Sequence, residues 1–326
     1  MKIVYSLAWE IDPFEPIKET FPGVEWVRAS ALDGFGDVLG DADGLIVSAT
    51  QYNAKVADEI KQKAKKLRWM QSAAIGIDNF VKFGIPDGVT LTNAAGLKGG
   101  TVSEHTFALL MALSRATVHM ERFRAAGEWQ NDLVRTLITP LEGRTMVIVG
   151  YGSIGQQLGR KAKAFDMNVI AVSRSGTSDE NADKAVTVDK LLDVLPEADV
   201  VAVVLPSNPD SHHLIDAKAF AAMKKGAIFV NTGRGATMDE KALVAALQSG
   251  HLGGAGLDVF EVEPLSADSP LWTMDNVVLS PHIAGTSDRT YALFVDLVRG
   301  NIERFQKGEP LRHAIPAEML KTTNAA

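Results

Sequence analysis

The chain has 326 residues, 46% hydrophobic and 22% charged, which is an ordinary globular composition and length enough for two domains. Its formal net charge of −7 argues against an electrostatic surface for nucleic acid or for an anionic membrane. The absence of cysteine excludes disulfides, thiolate catalysis and Cys-ligated zinc, and fits a reducing compartment. Without a signal-peptide pattern or an apolar run of transmembrane length, the sequence predicts a cytoplasmic protein.

The first hundred residues alternate short apolar runs with helical patterns. This rhythm predicts a small parallel sheet covered by helices. The predicted strands cover residues 3–7, 44–48, 69–72 and 89–92, and a lysine-rich surface helix covers 53–66. Tyr52, just past the second strand, is a candidate wall of a substrate pocket. The turn from Ser72 to Asp78 exposes backbone N–H groups around Ile75 and Gly76, which either bind a carboxylate or belong to a tight turn that only packs.

A glycine-rich boundary near residues 93–100 precedes a long apolar pattern. Thr101-Val102-Ser103-Glu104 has the spacing of a capping box, which predicts a helix from Val102 to about Arg124. Apolar residues cover most of the circumference of this helix. We therefore expect it to be buried between domains or in the interface of a homodimer.

The sequence Gly150-Tyr151-Gly152-Ser153-Ile154-Gly155 follows an apolar β-run directly and opens a helical pattern. In this context each glycine has a reason to be there. Gly150 permits the tight turn, Gly152 lets backbone approach a pyrophosphate, and Gly155 allows close packing of helix on sheet. Because the helix N-terminus then offers its N–H groups to the phosphates, the pattern predicts a dinucleotide site.

The next predicted strand ends in Ser173-Arg174-Ser175, where an NAD site would place an Asp or Glu for the ribose 2′-hydroxyl. A carboxylate would repel a 2′-phosphate, whereas hydroxyls and a guanidinium bind one through charge-assisted hydrogen bonds. The residues therefore favour NADPH over NADH, with NADH still possible. The alternative is that Arg174 is a solvated surface residue.

From Gly143 to Gly285 the pattern is that of a doubly wound fold. Its predicted strands cover residues 145–149, 168–172, 200–205, 227–231, 255–257 and 277–279. A second capping-box pattern, Thr237-Met238-Asp239-Glu240, lies between the fourth and fifth of them, and a final helix is predicted at 286–307. Ligands of such sheets bind at the carboxyl ends of the strands, where Arg234, Glu263 and His282 are found.

These motifs together resemble the D-isomer-specific 2-hydroxyacid dehydrogenases over nearly the whole chain. The matching segments are Ile75–Asp78, Thr101–His105, Gly150–Gly155, Asn231–Gly235, Gly256–Pro264 and Ser280–Gly285. The resemblance implies an α/β fold of two doubly wound parallel-sheet domains. Residues 1–98 and 286–326 would form a flavodoxin-like substrate domain and 99–285 a Rossmann domain for NADP, with the active-site cleft between them.

The chemistry of a keto-acid reductase assigns roles to these residues. His282 would be the general acid, and Glu263, paired to its other nitrogen, would stabilise the charged imidazole. Arg234 would bind the substrate carboxylate and polarise the carbonyl, with the backbone N–H groups of Ile75 and Gly76 holding the other carboxylate oxygen. The predicted cofactor contacts are Thr101, Gly150, Gly152, Ser153, Ile154, Gly155, Ser173, Arg174, Ser175, Leu205, Pro206, Thr232, Gly233, Arg234, Asp258, His282, Ala284 and Gly285. No histidine cluster has metal-ligand spacing, so we predict a metal-free site.

The leading interpretation is an NADPH-dependent reductase that converts a 2-keto acid, of the glyoxylate or hydroxypyruvate type, to the D-2-hydroxy acid. The Ser173-Arg174-Ser175 segment looks like that of the family's glyoxylate/hydroxypyruvate reductases. The alternatives are a D-3-phosphoglycerate-type dehydrogenase and a non-enzymatic dinucleotide sensor similar to the C-terminal-binding corepressors. We also expect a homodimer with no nucleic-acid or membrane partner.

Overall fold

A computed structural model describes residues 1–7, 12–29 and 38–320. The chain divides into two units, a discontinuous one of Met1–Lys98 with Ser287–Ala326 and a central one of Gly99–Thr286. Parts of the expected substrate domain, residues 8–11, 30–37 and 321–326, lie outside the described residues. No helix in the described ranges is long and apolar enough to cross a membrane.

The helices and strands of the described residues follow one another in this order: β1 (Lys2–Ser6), α1 (Glu15–Lys18), β2 (Glu25–Arg28), β3 (Gly44–Val47), α2 (Ala54–Lys63), β4 (Trp69–Ser72), α3 (Asp78–Phe83), β5 (Thr90–Thr92), α4 (Gly99–Ser114), α5 (Thr117–Ala126), α6 (Asn131–Leu137), β6 (Thr145–Val149), α7 (Ser153–Ala164), β7 (Asn168–Ser173), β8 (Lys184–Thr187), α8 (Leu191–Val194), β9 (Val200–Val203), α9 (Ala217–Ala222), β10 (Ala227–Asn231), α10 (Glu240–Gln248), β11 (Leu252–Leu257), β12 (Val277–Leu279) and α11 (Thr290–Lys307).

The discontinuous unit contains a five-stranded sheet in the order β2-β1-β3-β4-β5, with every neighbouring pair parallel. This is the flavodoxin-like strand order. Successive side chains of β1 enter different cores: Val4 lies in one, and Ile3 and Tyr5 lie in the other. The second core is completed by Phe294, Val298 and Ile302 of α11, so the end of the chain returns to cover the sheet of its beginning.

The central unit contains a seven-stranded sheet in the order β12-β11-β10-β9-β6-β7-β8, also parallel throughout. The order reverses between β9 and β6, and such a switch point is where doubly wound sheets bind their ligands. Both faces of the sheet carry a buried core, which explains why its strands are almost continuously apolar. The predicted fold class, α/β with two doubly wound parallel sheets, is confirmed.

The long helix predicted from Val102 to Arg124 is wrong in both its start and its length. Helix α4 begins at Gly99, so Thr101 lies inside the helix and cannot be its cap. The helix ends at Ser114, and Ala116 adopts a left-handed conformation with φ 52° before α5 starts. The apolar side chains of α4 pack on the sheet of its own unit; a Cβ added at Gly256 would lie only 2.8 Å from the Leu109 Cβ.

The second predicted capping box is also absent. Helix α10 begins at Glu240, and its cap is Asp239, whose side chain accepts a hydrogen bond from the Ala242 N–H at 2.9 Å. Thr237 is buried in the preceding 3-10 turn, where its hydroxyl donates to the Arg234 carbonyl at 2.6 Å. Asp239 therefore caps α10, whereas the sequence pattern predicted Thr237 as the cap.

Candidate active site

Three neighbouring strands of the central sheet present the predicted catalytic side chains. Arg234 follows β10, Glu263 follows β11 and His282 follows β12, and these strands are adjacent in the sheet. Because β10, β11 and β12 are parallel, their carboxyl ends lie at one edge. The three residues therefore belong to the same edge of the central unit.

His282 and Glu263 form a hydrogen-bonded pair. The distance from His282 Nδ1 to Glu263 Oε2 is 2.7 Å. An ionised carboxylate can only accept, so Nδ1 carries the hydrogen and the exchangeable ring position is Nε2. The other carboxylate oxygen of Glu263 accepts the Phe260 N–H at 3.1 Å, which fixes its orientation. Both side chains are partly exposed, so Nε2 can meet a ligand from solution.

The loop that carries His282 is held by Asp258 at the end of β11. The Asp258 side chain is 1% exposed. One of its oxygens accepts the Ser280 hydroxyl at 2.6 Å and the Ile283 N–H at 2.9 Å, and the other accepts the Ala284 N–H at 2.9 Å. Its carbonyl accepts the His282 N–H at 2.9 Å. Asp258 and Ala284, both predicted to contact the cofactor, are therefore hydrogen-bonded within the protein. These bonds fix the backbone around His282, which adopts the uncommon φ of 56°.

His105 of α4 extends this network. Its Nε2 lies 2.7 Å from the Ser280 hydroxyl. Since that hydroxyl donates its hydrogen to Asp258, it must accept from His105, which makes Nε2 the protonated nitrogen. His105 therefore ties α4 to the loop of His282, a connection that the sequence pattern did not indicate.

Arg234 is placed by its own backbone. Its carbonyl accepts hydrogen bonds from Asn231 Nδ2 at 3.2 Å and from the Thr237 hydroxyl at 2.6 Å. Its Nη1 donates to the Gly233 carbonyl at 2.8 Å, which orients the planar guanidinium. Gly233 itself is required here because a Cβ would lie 2.6 Å from the Leu205 carbonyl oxygen. Hydrogen bonds to the Arg234 carbonyl and the close packing of Gly233 on Leu205 therefore fix the backbone from β10 to Arg234.

The glycine-rich turn has the shape that a dinucleotide requires. Gly150 follows β6 with a φ of +104°, and Gly152 is the residue before the first turn of α7. A Cβ added at Gly152 would find no atom within 4 Å, so the space before the helix is open. The N–H groups of the first turn of α7 lack partners within the helix and create a positive potential at its N-terminus. Pyrophosphate therefore fits this turn.

The residues after β7 form a small hydroxyl-rich loop. The Ser173 hydroxyl donates to the Thr177 carbonyl at 3.1 Å, and the Ser175 and Thr177 hydroxyls are 2.6 Å apart. Arg174 and Ser175 are exposed. The end of β7 thus presents a cation and hydroxyls where a site for NAD would present a carboxylate.

The other predicted cofactor contacts differ in their accessibility. Ser153 and Pro206 are exposed, and Thr101, Ile154, Leu205 and Gly285 are half-buried. Thr232 is buried, with its hydroxyl 2.8 Å from that of Thr106 on α4. Its side chain therefore joins the sheet to α4 and is engaged within the protein.

The discontinuous unit holds the other predicted substrate residues, Ile75, Gly76 and Tyr52. Asn93 Nδ2 donates to the Ile75 carbonyl at 2.7 Å. Because a peptide C=O and the following N–H point in opposite directions, this bond turns the Gly76 N–H away from Asn93. Asn93 was not singled out from the sequence. Tyr52 is 0% exposed, and its ring packs on that of Phe80. Its hydroxyl donates to the Gly84 carbonyl at 2.6 Å, so the predicted pocket wall is instead part of the core.

Within the described ranges, no group of three or more His, Cys, Asp or Glu side chains is arranged to hold a metal ion.

Comparison with known proteins gives consistent matches. The sequence profile described as "D-isomer specific 2-hydroxyacid dehydrogenase, NAD binding domain" matches residues 107–284. The glyoxylate reductase of Korarchaeum cryptofilum is 36% identical over 287 residues, which cover 86% of this chain and 85% of the relative. Glyoxylate/hydroxypyruvate reductase B of an Enterobacter species is 36% identical over 279 residues, covering 82% and 85% of the two chains.

A solved structure is similar over nearly the whole chain. The D-isomer specific 2-hydroxyacid dehydrogenase of Xanthobacter autotrophicus, solved in complex with NADPH and MES, superposes with a TM-score of 0.84. It is 27% identical and covers 98% of this chain and 99% of its own.

Proposed function

The chain belongs to the D-isomer specific 2-hydroxyacid dehydrogenase family, and on that premise we propose that it reduces a small 2-keto acid to the D-2-hydroxy acid with NADPH. The observation that carries the proposal is the 2.7 Å bond between His282 Nδ1 and Glu263, which leaves Nε2 as a partly exposed proton donor. A nicotinamide dinucleotide, when bound, supplies the hydride for the carbonyl carbon.

His282 provides the proton in this reaction. As the carbonyl π bond breaks and the carbon gains a hydrogen, the oxygen takes the proton from His282 Nε2. Glu263 stabilises the imidazolium form before the transfer and keeps the proton of Nδ1 in place during it.

Arg234 binds the substrate carboxylate in this scheme. A guanidinium matches a carboxylate in shape and charge, and it polarises the adjacent carbonyl as negative charge develops on its oxygen. Asp258 acts on the reaction only through the loop that it holds.

The cofactor preference rests on the loop after β7. Arg174 is exposed beside the Ser173 and Ser175 hydroxyls, a set of groups that attracts a 2′-phosphate. The relative from Xanthobacter autotrophicus was solved with NADPH, which agrees with this preference. We propose glyoxylate or hydroxypyruvate as the substrate because the two reductases described above carry those names.

The test is the oxidation of NADPH and NADH at 340 nm with glyoxylate, hydroxypyruvate, pyruvate, 3-phosphohydroxypyruvate and bulkier 2-keto acids. We expect fast turnover with NADPH and a small keto acid. His282→Ala should lower kcat by about 10²- to 10⁴-fold and leave the dissociation constant of NADPH nearly unchanged. His251→Ala is the matched control, because His251 precedes β11 and so lies at the opposite edge of the sheet.

Other outcomes separate the alternatives. Turnover confined to 3-phosphohydroxypyruvate would indicate a phosphoglycerate-type dehydrogenase. Tight nucleotide binding without turnover of any keto acid would indicate a sensor. Full activity of His282→Ala would show that another group supplies the proton.

We also propose that the protein is a homodimer formed through α5 and α6. Both helices are described throughout, and neither contains a buried residue in the single chain. Large apolar side chains are exposed in this segment: Trp129 at 91%, Leu133 at 50% and Met120 at 42%. A second copy of the chain would remove this apolar surface from water.

A further inference from the structure

Tyr151 connects the glycine-rich turn to the segment that follows β7. It lies between Gly150 and Gly152 in the glycine-rich turn, and its N–H donates to the Val172 carbonyl of β7 at 3.1 Å. Its side chain is directed toward the loop after β7, where its hydroxyl donates to Asp179 Oδ1 at 2.7 Å. A single residue thus joins the turn that suits pyrophosphate to the loop that suits the ribose.

The position of the tyrosine ring is built into α7. A Cβ added at Gly159 would lie 2.5 Å from the Tyr151 hydroxyl oxygen, so the ring occupies space that any other residue there would fill. Tyr151 is only 5% exposed. The ring therefore packs in the space left by Gly159, and from there its hydroxyl reaches Asp179.

Asp179 is a half-buried carboxylate in the segment between β7 and β8. Burial alone would raise its pKa, but hydrogen bonds from the Tyr151 hydroxyl and the Asn181 N–H hold the pKa below its usual range. Burial, together with the bond to Asp179, raises the pKa of Tyr151, so the phenol remains a donor at neutral pH. A charged, half-buried carboxylate is thus held against the phenol.

We propose that Tyr151 selects the cofactor by holding the Asp179 carboxylate, so that the loop from Ser173 to Asp179 presents Arg174 and hydroxyls, and no carboxylate, to the ribose 2′ position. Tyr151 is a positioning residue in this scheme and touches no reacting atom. The proposal rests on the preference for NADPH proposed above, and it adds the residue that maintains that preference.

The experiment measures binding without turnover. Isothermal titration calorimetry compares adenosine 2′,5′-bisphosphate with 5′-AMP, two ligands that differ only in the 2′-phosphate, on the full-length protein. Tyr151→Phe keeps the ring and removes the hydroxyl. We expect it to weaken adenosine 2′,5′-bisphosphate by about tenfold and to change 5′-AMP by less than about twofold, because the released carboxylate repels only the 2′-phosphate.

A second variant tests the charge itself. Tyr151→Phe combined with Asp179→Asn should restore the affinity for adenosine 2′,5′-bisphosphate, because no carboxylate is then released. Tyr5→Phe is the matched control: the Tyr5 hydroxyl also donates to an aspartate, Asp12, but in the discontinuous unit. It should change neither ligand.

The outcomes distinguish this proposal from the one on which it rests. A wild-type protein that binds both ligands equally would overturn the NADPH preference and, with it, the role of Tyr151. A wild-type preference that survives in Tyr151→Phe would overturn only the role of Tyr151. A loss that Asp179→Asn does not reverse would also overturn it, because the carboxylate would then not be the repelling group.

Discussion

Two acidic residues that follow β11 have opposite surroundings. Asp258 is buried, and its two oxygens accept three hydrogen bonds from the loop that follows β12. Glu263 is partly exposed and shares one oxygen with His282. Asp258 therefore fixes the backbone on which His282 stands, whereas Glu263 is placed to stabilise the charge of the imidazole.

At the scale of single residues, Arg174→Ala tests whether the guanidinium attracts the 2′-phosphate of NADPH. We expect the KM for NADPH to rise by about tenfold and the KM for NADH to change little, since only NADPH carries the 2′-phosphate that a guanidinium binds. Initial rates at 340 nm measure both constants. An equal rise for the two cofactors would show that Arg174 does not bind the 2′-phosphate. Arg160→Ala is the control, because Arg160 is also exposed but lies on α7.

The individual site residues differ in how far the sequence could predict them. The sequence predicts Arg234, Glu263 and His282 at one edge of the sheet because each follows a predicted strand, and the bond predicted between the last two is present. The bond of Tyr151 to Asp179 was missed. Side-chain hydrogen bonds between segments far apart in the chain produce no spacing pattern, so only the folded backbone reveals them.

At the scale of elements, the strands of both sheets were predicted to within a few residues, with two exceptions. Strands β2 and β8 are the two missed, and both lie at a sheet edge, where side chains are more exposed and the apolar pattern is weak. The break after α4 was missed because Ala116, unlike glycine, does not mark a left-handed turn. Edges and breaks depend on tertiary context, which the local sequence does not contain.

Asp199 joins the start of β6 to the start of β9, and it makes the stability of the central unit depend on pH. Its side chain accepts the Thr145 N–H at 2.9 Å and pairs with Arg144 at 3.2 Å and Lys224 at 3.1 Å. Burial raises the pKa of Asp199, but these partners together lower it below its usual range. A carboxyl group with a lowered folded-state pKa stabilises the fold at neutral pH, and this contribution is lost as the pH falls through that pKa.

Asp199→Ala should therefore lower the urea midpoint at pH 7, by an amount corresponding to about 2 kcal/mol of unfolding free energy. The difference from wild type should shrink as the pH falls below about 4. Unfolding followed by circular dichroism at several pH values measures both effects. Asp193→Ala, which removes an exposed carboxylate 3.6 Å from Lys190, is the control, and a difference that does not depend on pH would contradict the assignment.

At the scale of the whole molecule, the proposed dimer depends on α5 and α6. Replacing Trp129 and Leu133 together by Glu should convert the dimer to a monomer, because it places charge in a surface that a second copy would bury. Sedimentation at micromolar concentration measures this. Leu192→Glu, at another exposed leucine of the central unit, should leave the dimer intact.

Two results of the sedimentation experiment would contradict the proposal. A wild-type monomer would exclude the dimer at that concentration. A double variant that remains dimeric would place the interface on another surface.

The strand order of the central sheet separates the loop proposed to choose the cofactor from the residues proposed to transfer the proton. The loop with Arg174 follows β7, whereas Arg234, Glu263 and His282 follow β10, β11 and β12, and two strands lie between these groups. At the usual spacing of about 4.8 Å between strands, β7 and β10 are about 14 Å apart. Substitutions so far apart, with no shared partner, combine additively in free energy. In the proposed scheme, selection can therefore exchange one nicotinamide cofactor for the other without changing the proposed proton donor.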